Sequence, residues 1–198
     1  MGVIPTGGRD RGCTYAPSRL LERPRIDWFG FPGMTFPTRL RWLSLTLFIV
    51  IADRLTKALI ESRTTEGWHH ELVHNFIYLV HSKNPGIAFS MFADSQSPWL
   101  RIGLVVLSLL FIAALAWLLI TSKQVSWRTL AGLSLLIGGA AGNLTDRLLH
   151  GAVTDFFEVW FGTYRYPAFN VADSAITIGA ILVLLDVLFP PRTASTSH

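Results

Sequence analysis

Trp99–Ile120, WLRIGLVVLSLLFIAALAWLLI, carries a single charge, Arg101, in a run long enough to cross a bilayer. A helix rises about 1.5 Å per residue, so roughly 20 such residues cover about 30 Å of hydrocarbon. Three further apolar runs flank this one, at about Leu40–Ile60, from Trp127 to about Leu148, and Phe169–Phe189. The chain has 198 residues, 51% of them apolar, and its largest gap between runs, Glu61–Pro98, leaves no room for a separate soluble domain. The pattern predicts an all-α membrane protein with four transmembrane helices and a small extracytoplasmic β-hairpin or cradle. Its parts are a basic extension over residues 1–38, a membrane domain over 39–190 and a short cytoplasmic tail over 191–198.

Charge sets the orientation. Arg9, Arg11, Arg19, Arg23, Arg25, Arg39 and Arg41 all precede or open the first run, Lys123 and Arg128 flank the second connection, and Arg192 follows the last run. The positive-inside rule then places both termini in the cytoplasm. Topology explains this basicity better than nucleic-acid binding does. The Gly-, Pro- and Arg-rich stretch Met1–Pro37 has no apolar core and predicts an unfolded segment; Met34 predicts an alternative start that would spare every membrane element. Cys13 is the only cysteine, which excludes intramolecular disulfides and thiolate metal cages.

Antiparallel threading gathers the unusual polar residues at one face, extracytoplasmic by the charge rule. Asp53 and Lys57 lie about 20 Å along the first helix from Leu40 and share a face at i and i+4. Asn143, Asp146 and Arg147 end the third run, and Asp173 lies one turn into the fourth. Each also has a plainer role, as a helix-end ion pair or an arginine reaching the headgroups. Asp186 lies about 20 Å further along the fourth helix than Asp173, too far to join it. Gly132, Gly138, Gly139 and Gly142 let helices approach closely. Phe76, Tyr78 and Val80 alternate, Asn84-Pro85-Gly86 turns, and Ile87, Phe89 and Met91 alternate again, which reads as a small β-hairpin lying on the membrane surface or over the site. His69, His70, His74 and His81 share that segment but meet no metal-ligand spacing, so no metal is expected.

Asp155 and Asp173 flank the connection between the third and fourth runs. Carboxylates at a bilayer edge are costly, and two that meet share a proton because both cannot ionise at close range. The ionised partner can activate water while the protonated one polarises a peptide carbonyl, the aspartic-protease division of labour. Ser174 and Ser90 have no well-placed histidine to act as base, which argues against a serine mechanism.

Five motifs follow one another from about Leu40 to Phe189: Asp53-x-x-Thr56-Lys57, Asn84-Pro85-Gly86-Ile87-Ala88-Phe89, Gly138-Gly139-Ala140-x-Gly142-Asn143-x-x-Asp146-Arg147, Gly151-x-Val153-x-Asp155-Phe156 and Phe169-Asn170-x-Ala172-Asp173-x-x-Ile176. In these motifs and their order the chain resembles the lipoprotein signal peptidase (signal peptidase II) family of bacterial intramembrane aspartic peptidases. The resemblance implies a catalytic pair at Asp155 and Asp173. It places Asn84, Asn143, Arg147 and Asn170 around the substrate, with Asp146, Lys57 and Asp53 in support. It further implies cleavage of prolipoproteins on the N-terminal side of a diacylglyceryl-modified cysteine, in the inner membrane, with no cofactor and no obligate partner beyond substrate and lipid. Arg54 stands where the family commonly has Gln, and Thr154 where it often has Val. Two other classes remain open: a small transporter, whose polar residues would run through the membrane, and a non-catalytic scaffold.

Overall fold

A computed structural model of the chain describes residues 2, 36–86, 98–122 and 126–190. Met34 and the basic stretch ahead of it, the second arm expected of the hairpin (Ile87, Phe89 and Met91) and the tail 191–198 lie outside the described residues. The chain divides into two units, Met1–Gly33 and Met34–His198, and every element named below belongs to the second.

Four helices and four strands run in the order α1 (Phe36–Arg63), β1 (His69–Val73), β2 (Ile77–Asn84), α2 (Pro98–Thr121), α3 (Trp127–Leu149), β3 (Val153–Phe161), β4 (Tyr164–Phe169) and α4 (Val171–Leu188). Two of the helices, α2 and α4, are long and apolar enough to cross a membrane. The other two carry the charged residues of the polar face: Asp53, Arg54 and Lys57 on α1, Asp146 and Arg147 on α3.

The central helix is α3, packed against α1, α2 and α4. Ser126 caps its start by accepting a hydrogen bond from the Thr129 amide, satisfying one of the amides a helix leaves open. Leu130, Leu133, Leu136 and Ile137 of α3 join Leu115 and Leu119 of α2 in the buried core. Small residues set the spacing to α4: a Cβ on Gly132 would stand 2.7 Å from the Gly179 carbonyl, and one on Gly179 would stand 2.7 Å from that of Gly132. Large apolar side chains point outward instead, among them Phe48, Leu110, Trp117 and Val187, the reverse of a soluble bundle.

The strands correct the expected class and hairpin. They form one antiparallel sheet in the order β1-β2-β3-β4, so the structure is helices plus a four-stranded sheet. The alternating segment does form a strand, β2, but its partners are β1, through the turn at His74–Phe76, and β3, some seventy residues later. The connection after α3, expected as a loop, is the β3–β4 hairpin turning at Gly162, whose φ of +64° suits glycine. The fourth helix starts later than expected: Phe169 ends β4 and Asn170 is the N-cap.

Candidate active site

Three elements bring Asp155 and Asp173 together. Asp173 is fixed by the start of α4. The Asn170 side chain accepts from the Asp173 amide at 2.9 Å, and Asp173 Oδ2 accepts from the Asn170 amide at 3.2 Å, a reciprocal capping box. Asp155 projects from β3, whose first rungs pair Asn84 with Val153 and Ser82 with Asp155. Asn170 bridges the two carboxyls, because its Nδ2 also donates to Asp155 Oδ1 at 2.7 Å and to the Thr154 carbonyl at 3.3 Å. From the third element, α3, Asn143 Nδ2 donates to Asp173 Oδ1 at 2.8 Å. The second oxygen of Asp155 accepts from Asn84 Nδ2 at 3.2 Å.

A cavity of about 470 Å³ opens on this pair. Asn84, Asn143, Arg147, Asp155 and Asp173 form its polar side, and Leu107 and Phe111 of α2 with Ile176 of α4 form an apolar wall. Asn170 is fully buried beneath it. Arg147 donates to the carbonyls of Gly86 at 2.9 Å and Asn143 at 3.3 Å, spreading its planar fork over two backbone oxygens. Asp155 is buried, and that desolvation, reinforced by the nearby Asp173 charge, pushes its carboxyl up to about 7 against the hydrogen bonds from Asn84 and Asn170.

Asp53, Lys57 and Asp146 lie behind the cavity with no exposed surface. The Lys57 ammonium sits 2.7 Å from Asp53 Oδ2 and 2.7 Å from Asp146 Oδ2, and donates to Asn143 Oδ1 at 3.1 Å. Each carboxylate then reaches a backbone beside the site: Asp53 Oδ1 accepts from the Ala172 amide at 3.0 Å, and Asp146 Oδ2 from the Thr154 amide at 3.4 Å. Gly142 leaves room for this cluster, since a Cβ there would stand 2.6 Å from Asp53 Oδ2. Paired and hydrogen-bonded charges of this kind are tolerated in the interior only as a set.

Of the residues expected to support the site, then, Asn84, Asn143 and Arg147 line the cavity, Asn170 lies beneath it, and Asp53, Lys57 and Asp146 form a buried cluster behind. Asp186 is at the far end of α4, where its Oδ2 accepts from Thr129 Oγ1 at 2.6 Å. His69 and His70 lie on β1, His74 in the turn and His81 on β2. Two connections had no clear signal in the sequence. Arg54 completes the buried cluster by pairing with Asp146 Oδ1. Glu61, Lys83 and Thr154 converge on the far side of β3, and only the alternation of Thr154 with Asp155 hints at that.

Comparison with known proteins gives the class and then the family. The family profile for signal peptidase (SPase) II matches residues 45–189. The lipoprotein signal peptidase of Solibacter usitatus (strain Ellin6076) is 40% identical over 161 residues, covering 79% of this chain and 96% of that protein. That of Pseudomonas aeruginosa (strain UCBPP-PA14) is 35% identical over 177 residues, covering 88% and 99%. A solved structure described as a bacterial membrane enzyme, determined by the in meso method at 2.3 Å, superposes with a TM-score of 0.70 at 28% identity, covering 80% of this chain and 93% of that one. The class is that of a peptidase. More narrowly, the chain belongs to the signal peptidase II family.

Proposed function

We propose that Asp155 and Asp173 are the catalytic pair of this aspartic endopeptidase, which removes signal peptides from prolipoproteins. The observation that carries the reading is the bridge through Asn170, which binds one oxygen of each carboxyl and so holds them to one point. Burial and the charge of Asp173 push Asp155 up to about 7, as a pair sharing one proton near neutrality requires. The ionised partner takes a proton from water as it attacks the peptide carbonyl, and the protonated partner donates to the carbonyl oxygen. In the breakdown of the tetrahedral gem-diol the carboxyl that took the water proton passes it to the leaving amine, while the other carboxylate takes a proton back from a hydroxyl as the carbonyl re-forms and the C–N bond breaks, so the pair again holds one proton. Asn84, Asn143, Arg147 and Asn170 orient the carboxyls and the chain bound beside them. Asp53, Lys57 and Asp146 fix the backbones of Ala172 and Thr154.

In this reading α1 and α3 also cross the membrane, their charges paired with one another inside the bundle, which gives four spans with both termini in the cytoplasm of an inner membrane. The site then opens at the extracytoplasmic face. The apolar wall from Leu107, Phe111 and Ile176 suits a substrate whose cysteine, just after the scissile bond, carries a diacylglyceryl group left in lipid. Clustering of the polar residues at one end, with a cavity between them, favours the peptidase over a transport path. A processing assay with a lipidated precursor tests the pair. Accumulation of uncut precursor with Asp155→Asn and with Asp173→Asn is the expected result, and normal processing by either variant removes that residue from the catalytic role.

A further inference from the structure

Lys83 and Thr154 face each other across the β2–β3 ladder, and Glu61 from the last turn of α1 reaches both. Lys83 Nζ donates to Glu61 Oε1 at 2.6 Å and to Thr154 Oγ1 at 2.7 Å, and that hydroxyl donates to the same Glu61 oxygen at 2.5 Å. Thr154 is fully buried, while the side chains of Lys83 and Glu61 keep 25% and 21% of their surface. Successive strand residues point to opposite faces, so the Thr154 hydroxyl lies behind β3 when Asp155 faces the cavity. None of the three residues lines that cavity.

The ladder shows why such a clasp matters. Pairing of β2 with β3 is irregular between Leu79 and Ser82. There the His81 backbone bonds the loop before β1 instead, donating to the Trp68 carbonyl at 2.8 Å and accepting from the Gly67 amide at 2.9 Å. Beyond this bulge only the rungs Ser82–Asp155, Lys83–Thr154 and Asn84–Val153 remain. A bulge disrupts pairing locally and re-aims the strand, so rungs isolated beyond it need anchorage of their own. Asn84 sits on the last of them, with its amide on Asp155 Oδ2 and its side-chain oxygen accepting from the Gly86 amide at 3.0 Å.

We propose that Glu61, Lys83 and Thr154 are positioning residues that pin these rungs to α1 and so set the placement of Asp155 and of its donor Asn84. The proposal rests on the catalytic assignment of Asp155. It adds a second anchor on the Asp155 side: the Lys57 cluster reaches Asp173 through Asn143 and the start of α4 and touches β3 only at the Thr154 amide, and the Glu61 clasp holds the side chains of β2 and β3 beside Asp155. Thr154 is central because its hydroxyl both donates and accepts, joining the Glu61–Lys83 ion pair to the strand.

The test compares Thr154→Val, Thr154→Ser, Glu61→Gln and Asp155→Asn in the full-length protein, reconstituted in lipid vesicles with a diacylglyceryl-modified precursor. Thr154→Val keeps the shape and removes the hydroxyl, and is expected to lower kcat about tenfold with KM and melting temperature nearly unchanged, as a small displacement of a reacting group does. Thr154→Ser, which restores the hydroxyl, is expected to recover wild-type kcat. Glu61→Gln changes a partly exposed member without touching the buried strand and is expected to lower kcat in the same selective way. Wild-type kcat in the Val and Gln variants, equal losses in the Ser and Val variants, or losses that follow melting temperature would overturn the proposal. Asp155→Asn separates the two ideas. If that variant is active, the catalytic assignment fails; if it is inactive while the Val and Gln variants work normally, the clasp alone fails.

Discussion

The two ends of the α3–α4 pair each hold an aspartate of α4, yet they treat it differently. At one end Asp173 has both oxygens engaged, by the Asn143 amide and the Asn170 backbone, with the Lys57 ammonium behind Asn143. At the other, Asp186 accepts from the Thr129 hydroxyl through Oδ2, and its buried Oδ1 has no hydrogen-bond partner among the described residues. The helices are the same and the packing is close at both ends. What differs is convergence: among the described residues, α3, β2 and the α4 cap donate directly to Asp173 or its neighbour Asp155, with Lys57 of α1 behind Asn143, whereas Asp186 accepts from one α3 side chain. The proposed function uses the converging end, because a carboxyl held from several directions can be aimed.

The sharpest way to break this contrast is to replace each aspartate with Asn. Asp173→Asn or Asp155→Asn is expected to cut processing by about 10³-fold or more, the scale of losing an essential acid or base. Asp186→Asn is expected to leave kcat and KM as they are; a comparable loss there would show that the difference between the ends is not functional. Next in size is Lys57→Met. It strands two fully buried carboxylates, and removal of one member of a buried ion cluster costs about 3–5 kcal/mol. Denaturant unfolding in detergent reads that loss, and an unchanged midpoint would mean that the cluster contributes little.

Much of the converging end is legible in the sequence because its signals are local. Asp53 and Lys57 are one helical turn apart, Asn170-x-x-Asp173 is a capping spacing, and the α3 glycines mark a close helix contact. The sheet is less legible. Residues 153–156 of β3 are buried without interruption, and all of β1 is exposed, so neither shows the period-two pattern by which a half-buried strand is recognised. Strand β2 is read from Phe76, Tyr78 and Val80, although its burial does not alternate either, and its pairing with β3 joins residues far apart in sequence, with nothing in either segment to name the other. Arg54 and Thr154 illustrate the same limit. Both stood out only as departures from a family pattern, and their partners Asp146 and Glu61 lie on other elements.

Acidity gives a third, smaller effect that bears on one end only. The Asp155 carboxyl is raised to about 7 in the folded protein, above the ordinary value of 3.8. A raised folded value means that stability from the neutral carboxyl is fully present below about pH 4 and is lost as pH rises through about 7, where the buried group must ionise. Asp173, Lys57 and Arg147 face the same group and shape the transition. Melting temperature is therefore expected to decline across this window in wild type and to decline less in Asp155→Asn. Turnover should fall about tenfold per pH unit above 7 as the shared proton is lost. A flat profile from pH 5 to 9 in both measurements would separate Asp155 from the shared proton.

The smallest effects distinguish packing from aiming. A Cβ on Gly132 would meet the Gly179 carbonyl and the Val183 side chain, and one on Gly142 would meet Asp53 Oδ2 and the Ala172 side chain, so either alanine overfills the bundle. Overpacking costs about 1–3 kcal/mol. Gly132→Ala and Gly142→Ala are thus expected to lower the unfolding midpoint by similar amounts. They should part in turnover measured well below their melting temperatures. Gly132 lies toward the Thr129–Asp186 end, where strain reaches no polar group of the site, so the folded fraction should turn over at the wild-type rate. At Gly142 the strain pushes on the carboxylate that holds the Ala172 amide in the first turn of α4, the turn that carries Asp173. A loss of kcat confined to Gly142→Ala would show that the buried cluster aims the carboxyl, and equal kcat in the two variants would reduce that cluster to packing.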